Sequence, residues 1–137
     1  MNPGGTFTVG GLKIKCVCAV HTSSFEDGAY GGVPIGFVVS SADGAFYFAG
    51  DTALTYDMKL IGEQFTLKYA FLPIGDNFTM GADDAILASN FIKCNNIIGM
   101  HYNTFDIIKI NEQEVRSKFE KAGKSLTLMN IGETSDL

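Results

Sequence analysis

The architecture follows from Pro34-Ile-Gly-Phe-Val-Val-Ser-Ser-Ala-Asp-Gly-Ala-Phe-Tyr-Phe-Ala-Gly-Asp51, in which two apolar runs flank the turn Ala42-Asp43-Gly44. Runs rich in β-branched and aromatic residues are typical of β-strands, and a short glycine-containing connection between them predicts a β-hairpin. The second run ends at Gly50-Asp51, which places a carboxylate at a strand terminus. Because open α/β sheets bind ligands outside the carboxyl ends of their strands, this terminus is a candidate site.

Similar runs in the rest of the chain predict a mixed α/β fold. Including the hairpin, strands are predicted at Leu12–Val20, Pro34–Ser40, Ala45–Ala49, Tyr69–Ile74, Asn96–Met100 and Ser125–Met129. Helices are predicted at Tyr56–Glu63, Ala82–Lys93 and Glu112–Ala122. Asn111 and Glu114 have the spacing of a capping box at the start of the third helix, and Gly123 is a suitable residue to end it.

The length and composition predict how these elements are layered. A chain of 137 residues suits one domain. Hydrophobic residues make up 46% and charged residues only 18%, which favours a sheet covered on both faces. The predicted helices cover one side, but the first 54 residues offer no helix for the other. The sequence therefore predicts one mixed sheet with helices on one face and an uncovered apolar face on the other.

Composition also excludes several classes of partner. The apolar runs are far shorter than the ~20 residues of a membrane helix, so no membrane association is expected. The net charge is −5 and Arg116 is the single arginine, which leaves no basic stripe for nucleic acid. The beginning of the chain lacks the basic and apolar regions of a secretion signal, and a cytoplasmic location is predicted.

The three cysteines, Cys16, Cys18 and Cys94, form no CxxC pair. Cys16 and Cys18 would lie on one face of the first predicted strand, because side chains alternate along a strand. Reduced, buried thiols are favoured here over a metal-binding or disulfide role.

The two histidines of the chain both stand at predicted strand ends. His21 opens a polar stretch after the first strand, and His101 follows the strand Asn96–Met100. Neutral imidazole is the commonest metal ligand in proteins, and a carboxylate such as Asp51 can bridge two cations. For each residue an alternative stays open: the histidines as surface or capping residues, and Asp51 as the cap of the short helix that follows.

Five ordered motifs sharpen this interpretation. They are Val20-His-Thr-Ser-Ser24, Phe48-Ala-Gly-Asp-Thr52, Asp57-Met-Lys-Leu-Ile-Gly-Glu63, Leu72-Pro-Ile-Gly-Asp-Asn-Phe-Thr-Met-Gly81 and Met100-His-Tyr-Asn-Thr-Phe105. In this order they resemble the metallo-β-lactamase superfamily, most closely its branch of poorly characterised metal-dependent hydrolases. The resemblance extends over nearly the whole chain, from about Gly10 to Asp106.

The resemblance implies the C-terminal half of an αβ/βα sandwich with the active site along one edge. It assigns His21 to a first metal, His101 to a second, and Asp51 as the catalytic carboxylate that bridges both. Two divalent ions, zinc or manganese, would activate water to attack a small-molecule substrate. Candidates to orient metal ligands or substrate lie in the matching loops: Asp76, Asn77, Thr79, Asn103 and Thr104. Equally open is the interpretation of Asp76 and Asn77 as turn residues and of Thr79 as a helix N-cap.

One departure from the family limits this expectation. The leading metal motif of the family, His-x-His-x-Asp-His, has no counterpart in the sequence. Each cation would then have about two protein ligands, whereas a catalytic zinc typically has three plus water. We therefore expect residues 1–137 to be a single partial domain, a fragment that binds metal weakly or not at all and is inactive alone. The alternatives are a binding or assembly module that self-associates through the uncovered sheet face, and a degenerate relative that folds alone.

Overall fold

The computed structural model, which describes residues 1–136, shows seven strands whose order across one sheet equals their order along the chain. The strands are β1 (Thr6–Val9), β2 (Leu12–Cys18), β3 (Ile35–Ser41), β4 (Gly44–Phe48), β5 (Tyr69–Pro73), β6 (Asn96–Met100) and β7 (Ser125–Thr127). Neighbours from β1 to β4 are antiparallel, and neighbours from β4 to β7 are parallel. The predicted mixed sheet is confirmed.

All six predicted strands are present, and the hairpin between β3 and β4 closes with Ser41 opposite Gly44. The additional strand β1 was not predicted. Its four residues are all exposed, but Thr6-Phe-Thr-Val9 alternates polar and apolar residues and Gly10-Gly11 follows, so a hairpin to β2 was detectable from the sequence. Hydrogen bonding to β2, which depends on backbone groups and not on side chains, holds it at the edge of the sheet.

Three helices follow the predicted segments closely: α1 (Met58–Gln64), α2 (Ala82–Phe91) and α3 (Glu112–Lys121). The side chain of Asn111 accepts a hydrogen bond from the Glu114 N–H at 3.2 Å, which confirms the N-cap of α3. Gly123 has a φ of 71° and ends α3 as predicted. No helix within residues 1–136 has both the length and the apolar composition needed to cross a membrane.

The hydrophobic core lies between the sheet and these helices. Val38, Tyr47, Ala70 and Ile97 are directly opposite one another across β3, β4, β5 and β6, and all are buried. Because side chains alternate along a strand, these residues share the helix-covered face. The core cluster also includes residues from all three helices, among them Met58, Ala88 and Phe119.

The alternate strand positions form the second face of the sheet, here called the open face. Phe37, Phe48, Phe71 and Ile98 are directly opposite one another on it. Phe48 remains 41% exposed, although its neighbours on the same face are aromatic. Within the described strands, no position assigned to the open face by alternation is Asp, Glu, Lys or Arg. The predicted uncovered apolar face is therefore present.

Candidate functional site

The carboxyl ends of β2, β4, β5 and β6 lie at the same edge of the sheet, because these four strands run in the same direction. Asp51 follows β4 and His101 follows β6, on either side of β5. The structure brings their side chains together, with the His101 Nε2 3.6 Å from the Asp51 Oδ2. The Asp51 side chain is 48% exposed and that of His101 25% exposed, so the pair faces solvent.

The separation of this pair fits two ligands of one cation. At 3.6 Å the Asp51 and His101 side chains are too far apart for a good hydrogen bond. Two ligand atoms on one tetrahedral zinc, each bonded at roughly 2.0–2.2 Å, lie about 3.4 Å from each other. An imidazole nitrogen and a carboxylate oxygen are also ligands that zinc accepts. The donor atoms of Asp51 and His101 therefore suit a divalent metal.

His101 is held in an unusual backbone conformation. Its φ of 53° lies in the left-handed region, which is uncommon for a non-glycine residue. The β5 loop contacts it so closely that a Cβ at Gly75 would clash with the His101 carbonyl oxygen. Glycine at position 75 therefore allows the β5 and β6 termini to pack together. Within the described residues, the buried Nδ1 of His101 has no hydrogen-bond partner.

His21 lies at the end of β2 and is partly buried. Its Nδ1 is 2.8 Å from the Thr22 carbonyl oxygen, and a carbonyl can only accept, so Nδ1 is the donor of that bond. The Nε2 of the neutral ring then carries the lone pair that a metal would use. Across residues 1–136, no group of three or more His, Cys, Asp or Glu side chains is placed to hold a metal ion. The structure thus pairs Asp51 with His101 and does not add His21 to the same ligand group.

A buried threonine ties the strand termini together, and sequence reasoning missed it. Thr52 is fully buried, and its hydroxyl accepts a hydrogen bond from the Val20 N–H at 2.9 Å. Its carbonyl oxygen accepts one from the Met80 N–H at 3.2 Å, which connects the β4 terminus to the loop after β5. The available signal was a polar residue directly after Gly50-Asp51 in an otherwise apolar segment.

The loop after β5 contains three of the predicted residues. Asp76 and Asn77 have φ values of 62° and 56°, and the Asp76 carboxylate accepts a hydrogen bond from the Asn77 N–H at 2.7 Å. Both are therefore turn residues, which is one of the two roles that the sequence left open for them. The interpretation of Thr79 as a helix N-cap is wrong, because Gly81 is the N-cap of α2. The Thr79 hydroxyl is buried and has no hydrogen-bond partner in residues 1–136.

The interpretation of Asp51 as a helix cap is also wrong. The N-cap of α1 is Asp57, six residues further along the chain. The hydrogen bonds of Thr52 and Ala53 to Val20 hold the chain at the sheet edge before α1 begins. Asp51 is therefore left with its carboxylate beside His101.

The loop after β6 holds the remaining predicted residues. Asn103 donates from Nδ2 to the Glu112 carboxylate at 3.0 Å and accepts from the Ile110 N–H at 2.9 Å. Both the nitrogen and the oxygen of its side-chain amide are thus in hydrogen bonds within the fold, so Asn103 stabilises the loop after β6. Thr104 is exposed and, with Asn103 and Glu112, lines an open cavity of about 470 Å³ that adjoins His101.

The cysteines are free thiols, and their burial was predicted correctly only in part. Cys16 and Cys94 are buried, but Cys18 is exposed because it is the last residue of β2, where the sheet ends. Burial raises the pKa of the Cys94 thiol above its usual range, and it does the same for Cys18, where the Asp57 carboxylate adds to the effect. Cys94 precedes β6, at the edge of the sheet opposite Asp51 and His101, and no metal-holding group within residues 1–136 includes Cys18, so these two cysteines do not add to the site.

Comparison with known sequences points to one family. Residues 1–102 match the model of a family described as a beta-lactamase superfamily domain. A metal-dependent hydrolase of Christiangramia forsetii is 55% identical over 137 residues, which is 100% of this chain and 61% of the relative. A metal-dependent hydrolase of Thermus thermophilus is 44% identical over 133 residues, or 97% of this chain and 59% of the relative. The chain therefore spans about three fifths of the length of these relatives.

Solved structures share the fold. A metallo hydrolase from Ignicoccus hospitalis, Igni18, superposes with a TM-score of 0.86 at 37% identity, covering 98% of this chain and 58% of that one. An isothiocyanate hydrolase from Delia radicum gut bacteria has a TM-score of 0.72 at 18% identity, covering 96% of this chain and 57% of the other. The second similarity concerns the fold alone.

Proposed function

The chain belongs to the metallo-β-lactamase superfamily, and from this premise we propose that it forms part of the catalytic domain of a divalent-metal-dependent hydrolase. The observation that carries the proposal is the Asp51–His101 pair, 3.6 Å apart at the edge where the parallel strands end. When bound, divalent ions supply a water that is activated near neutral pH and polarise the bond to be cleaved. The substrate is proposed to be a small molecule.

Within this proposal each residue has a distinct task. Asp51 and His101 would hold one cation, and the exposed Asp51 carboxylate would also be available to a second. His21 would serve that other cation through Nε2, since its Nδ1 donates to the Thr22 carbonyl oxygen. Zinc and manganese are the proposed ions, because both accept carboxylate and imidazole ligands.

We also propose that the isolated chain binds metal weakly and has no activity. No three-donor group is present in the described residues, so metal binding by the isolated chain should be weak and its activity absent. The missing donors would come from the part of the longer relatives that this chain does not cover. A cytoplasmic location belongs to the same proposal and is supported by the free cysteines, which suit a reducing compartment.

Reconstitution is the experiment that tests the proposal. The chain would be fused to the segment of the Christiangramia forsetii relative that it does not cover, and assayed with chromogenic phosphodiester, ester and lactam substrates in Zn²⁺ or Mn²⁺. We expect activity from the fusion and none from the chain alone. Asp51→Asn and His101→Gln should each lower kcat by about 100-fold or more, because loss of a ligand disturbs the metal more than loss of its supporting residues.

Asp43→Asn is the matched control for Asp51→Asn. It removes an exposed carboxylate from the β3–β4 turn, at the opposite edge of the sheet, and should leave activity unchanged. An active fusion that tolerates Asp51→Asn would overturn the assignment. Calorimetry with Zn²⁺ on the isolated chain gives a second measurement, in which micromolar or tighter binding that persists in His101→Gln would contradict the proposed ligands.

A second candidate function, a non-catalytic assembly module, is favoured by the open face. Phe46 and Phe48 are 37% and 41% exposed on it, and their rings lie 5.8 and 5.9 Å from that of Phe71. The chain carries a net charge of −5, yet no charged residue lies on this face within the described strands. Two copies could therefore pair face to face without like-charge repulsion, and the proposed occupant is a second copy.

Part of the open face is already covered within the chain, because Cys16 and Ile98 are 0% and 3% exposed. Pairing would therefore use the exposed part of the face, which includes Phe7, Phe46 and Phe48.

Analytical ultracentrifugation tests this candidate directly. We expect the chain alone to dimerise and Phe48→Glu to be monomeric with an unchanged circular dichroism spectrum. Leu87→Glu is the matched control, since Leu87 is similarly exposed, at 42%, but lies on α2. A wild-type chain that remains monomeric at high concentration would reject the assembly module.

A further inference from the structure

Thr52 connects the loop of His21 to the loop of Asp51, which carry two of the proposed metal ligands. We propose that Thr52 is a positioning residue, whose buried hydroxyl fixes the spacing between the His21 loop and the Asp51 loop. The inference rests on the proposed function, because it concerns how two of the proposed metal ligands are placed. Within residues 1–136 no hydrogen bond joins the Thr52 side chain to Asp51 or His101, and Thr52 acts through the backbone of Val20.

The Thr52 hydroxyl both donates and accepts a hydrogen bond within the fold. Its single hydroxyl proton is donated to the Ala53 carbonyl oxygen at 2.8 Å. A lone pair of the same oxygen then accepts the Val20 N–H at 2.9 Å. The side chain is 0% exposed, so water cannot replace it as the partner of Val20.

Val20 is held at both of its backbone groups. Its N–H bonds to the Thr52 hydroxyl, and its carbonyl oxygen accepts from the Ala53 N–H at 2.9 Å. Val20 immediately precedes His21, and Thr52 immediately follows Asp51. The hydrogen bonds that hold Val20 to Thr52 and Ala53 therefore limit how far His21 and Asp51 can move apart.

The structure also contains an internal reference for an experiment. The Thr52 carbonyl oxygen accepts the Met80 N–H at 3.2 Å, and this bond uses the backbone of Thr52 and not its side chain. A substitution that removes only the hydroxyl should release the Val20 amide and leave the Met80 amide protected. Any general loosening of the fold would release both.

Amide hydrogen exchange measured by NMR on the full chain tests the inference. We expect Thr52→Val to speed exchange at the Val20 amide about tenfold or more, through loss of a buried hydrogen bond, with exchange at Met80 unchanged. Thr52→Ser keeps the hydroxyl and should restore protection of Val20. Ser89→Ala is the control, because it removes a buried hydroxyl in α2 that donates to the Ile86 carbonyl oxygen and not to the strand ends, and it should leave exchange at the Val20 amide unchanged.

The effect on the site is measured with Zn²⁺ alone, titrated into the reconstituted fusion. We expect Thr52→Val to weaken zinc binding about tenfold, as loss of a supporting contact does, and Thr52→Ser to bind like the unmodified protein. Equal weakening in both variants would overturn the positioning role, as would unchanged exchange at Val20 in Thr52→Val. Absence of zinc binding in the unmodified fusion would instead overturn the proposed function.

One measurement does not depend on whether Thr52→Val folds. In the unmodified chain the hydroxyl proton of Thr52, buried and donated to Ala53, should give a slowly exchanging NMR resonance. A Thr52 hydroxyl proton that exchanges at the rate of an exposed threonine such as Thr8 would overturn the inference.

Discussion

The two faces of the sheet differ in exposure far more than in composition. On the helix-covered face Tyr47 and Leu72 are fully buried, whereas Phe46 and Phe48, one residue away from Tyr47 on either side, are 37% and 41% exposed. Both faces are apolar, so the strands carry continuous runs instead of alternating ones, as strands buried on both faces do. These strands are therefore suited to burial on both sides, while the helices of this chain cover one.

This difference sets how much each face contributes to stability. A fully buried large apolar side chain contributes roughly 1.5–3 kcal/mol relative to an exposed one. Side chains of the open face gain only part of that in the chain alone, and gain the rest when something covers them.

Truncation of one side chain on each face should give different losses. Leu72→Ala removes a fully buried side chain under the helices and should lower the free energy of unfolding by about 2–5 kcal/mol. Phe48→Ala, on the open face, should cost only about 1–2 kcal/mol despite the larger side chain, because Phe48 is partly exposed. Urea denaturation followed by circular dichroism, at concentrations where the chain is monomeric, measures both. Equal losses would show that the open face is covered in solution.

Contacts between helices over the covered face should also be sensitive to added volume. A Cβ at Gly62 of α1 would clash with the backbone of Phe91 and Ile92, where α2 ends. Gly62→Ala should therefore lower the free energy of unfolding by about 1–3 kcal/mol, although alanine is the better helix former.

The control for Gly62→Ala is Glu63→Ala, an exposed position on the same helix that should change stability by less than about 0.5 kcal/mol. Both are compared by the urea midpoint. Stabilisation by Gly62→Ala would mean that α1 and α2 are not in backbone contact in solution.

Sequence reasoning located the elements of the covered face well. Strands such as Tyr69–Pro73 are marked by continuous apolar residues, and α3 by its cap at Asn111, because local chemistry determines these features. The edge strand β1 was missed although Thr6-Phe-Thr-Val9 alternates polar and apolar residues and Gly10-Gly11 supplies a hairpin turn to β2. The segment is only four residues long, and its exposed side chains add nothing to the core.

The residues of the candidate site could be predicted from the sequence, but their three-dimensional arrangement could not. His101 and Asp51 stand at strand ends that the apolar runs reveal, so their presence at one edge follows from strand direction. The left-handed backbone of His101 and the role of Thr52 could not be foreseen, because both depend on contacts between loops distant in sequence. The helix-cap interpretations of Asp51 and Thr79 failed for the same reason, since loop contacts determine where α1 and α2 begin.

The smallest predicted effect concerns a polar atom on the covered face. The Tyr47 hydroxyl is buried and has no hydrogen-bond partner in residues 1–136. Tyr47→Phe removes this unpaired group and should raise the free energy of unfolding by up to about 1 kcal/mol at pH 7. Tyr69→Phe, on the partly exposed open face, is the control and should change stability by less than about 0.5 kcal/mol.

The pH dependence of the Tyr47→Phe effect gives the sharper measurement. Burial raises the pKa of Tyr47 well above its ordinary value of 10.0, so above that pH the unfolded chain releases a proton that the folded chain retains. Stability then falls as pH rises past 10, and this contribution should be absent in Tyr47→Phe, so the advantage of the variant should grow between pH 9 and pH 11. Urea midpoints of both proteins across that range measure it. A difference that stays constant with pH would mean that the Tyr47 hydroxyl reaches water. The helices would then cover this face of the sheet less completely at Tyr47 than its burial in the structure indicates.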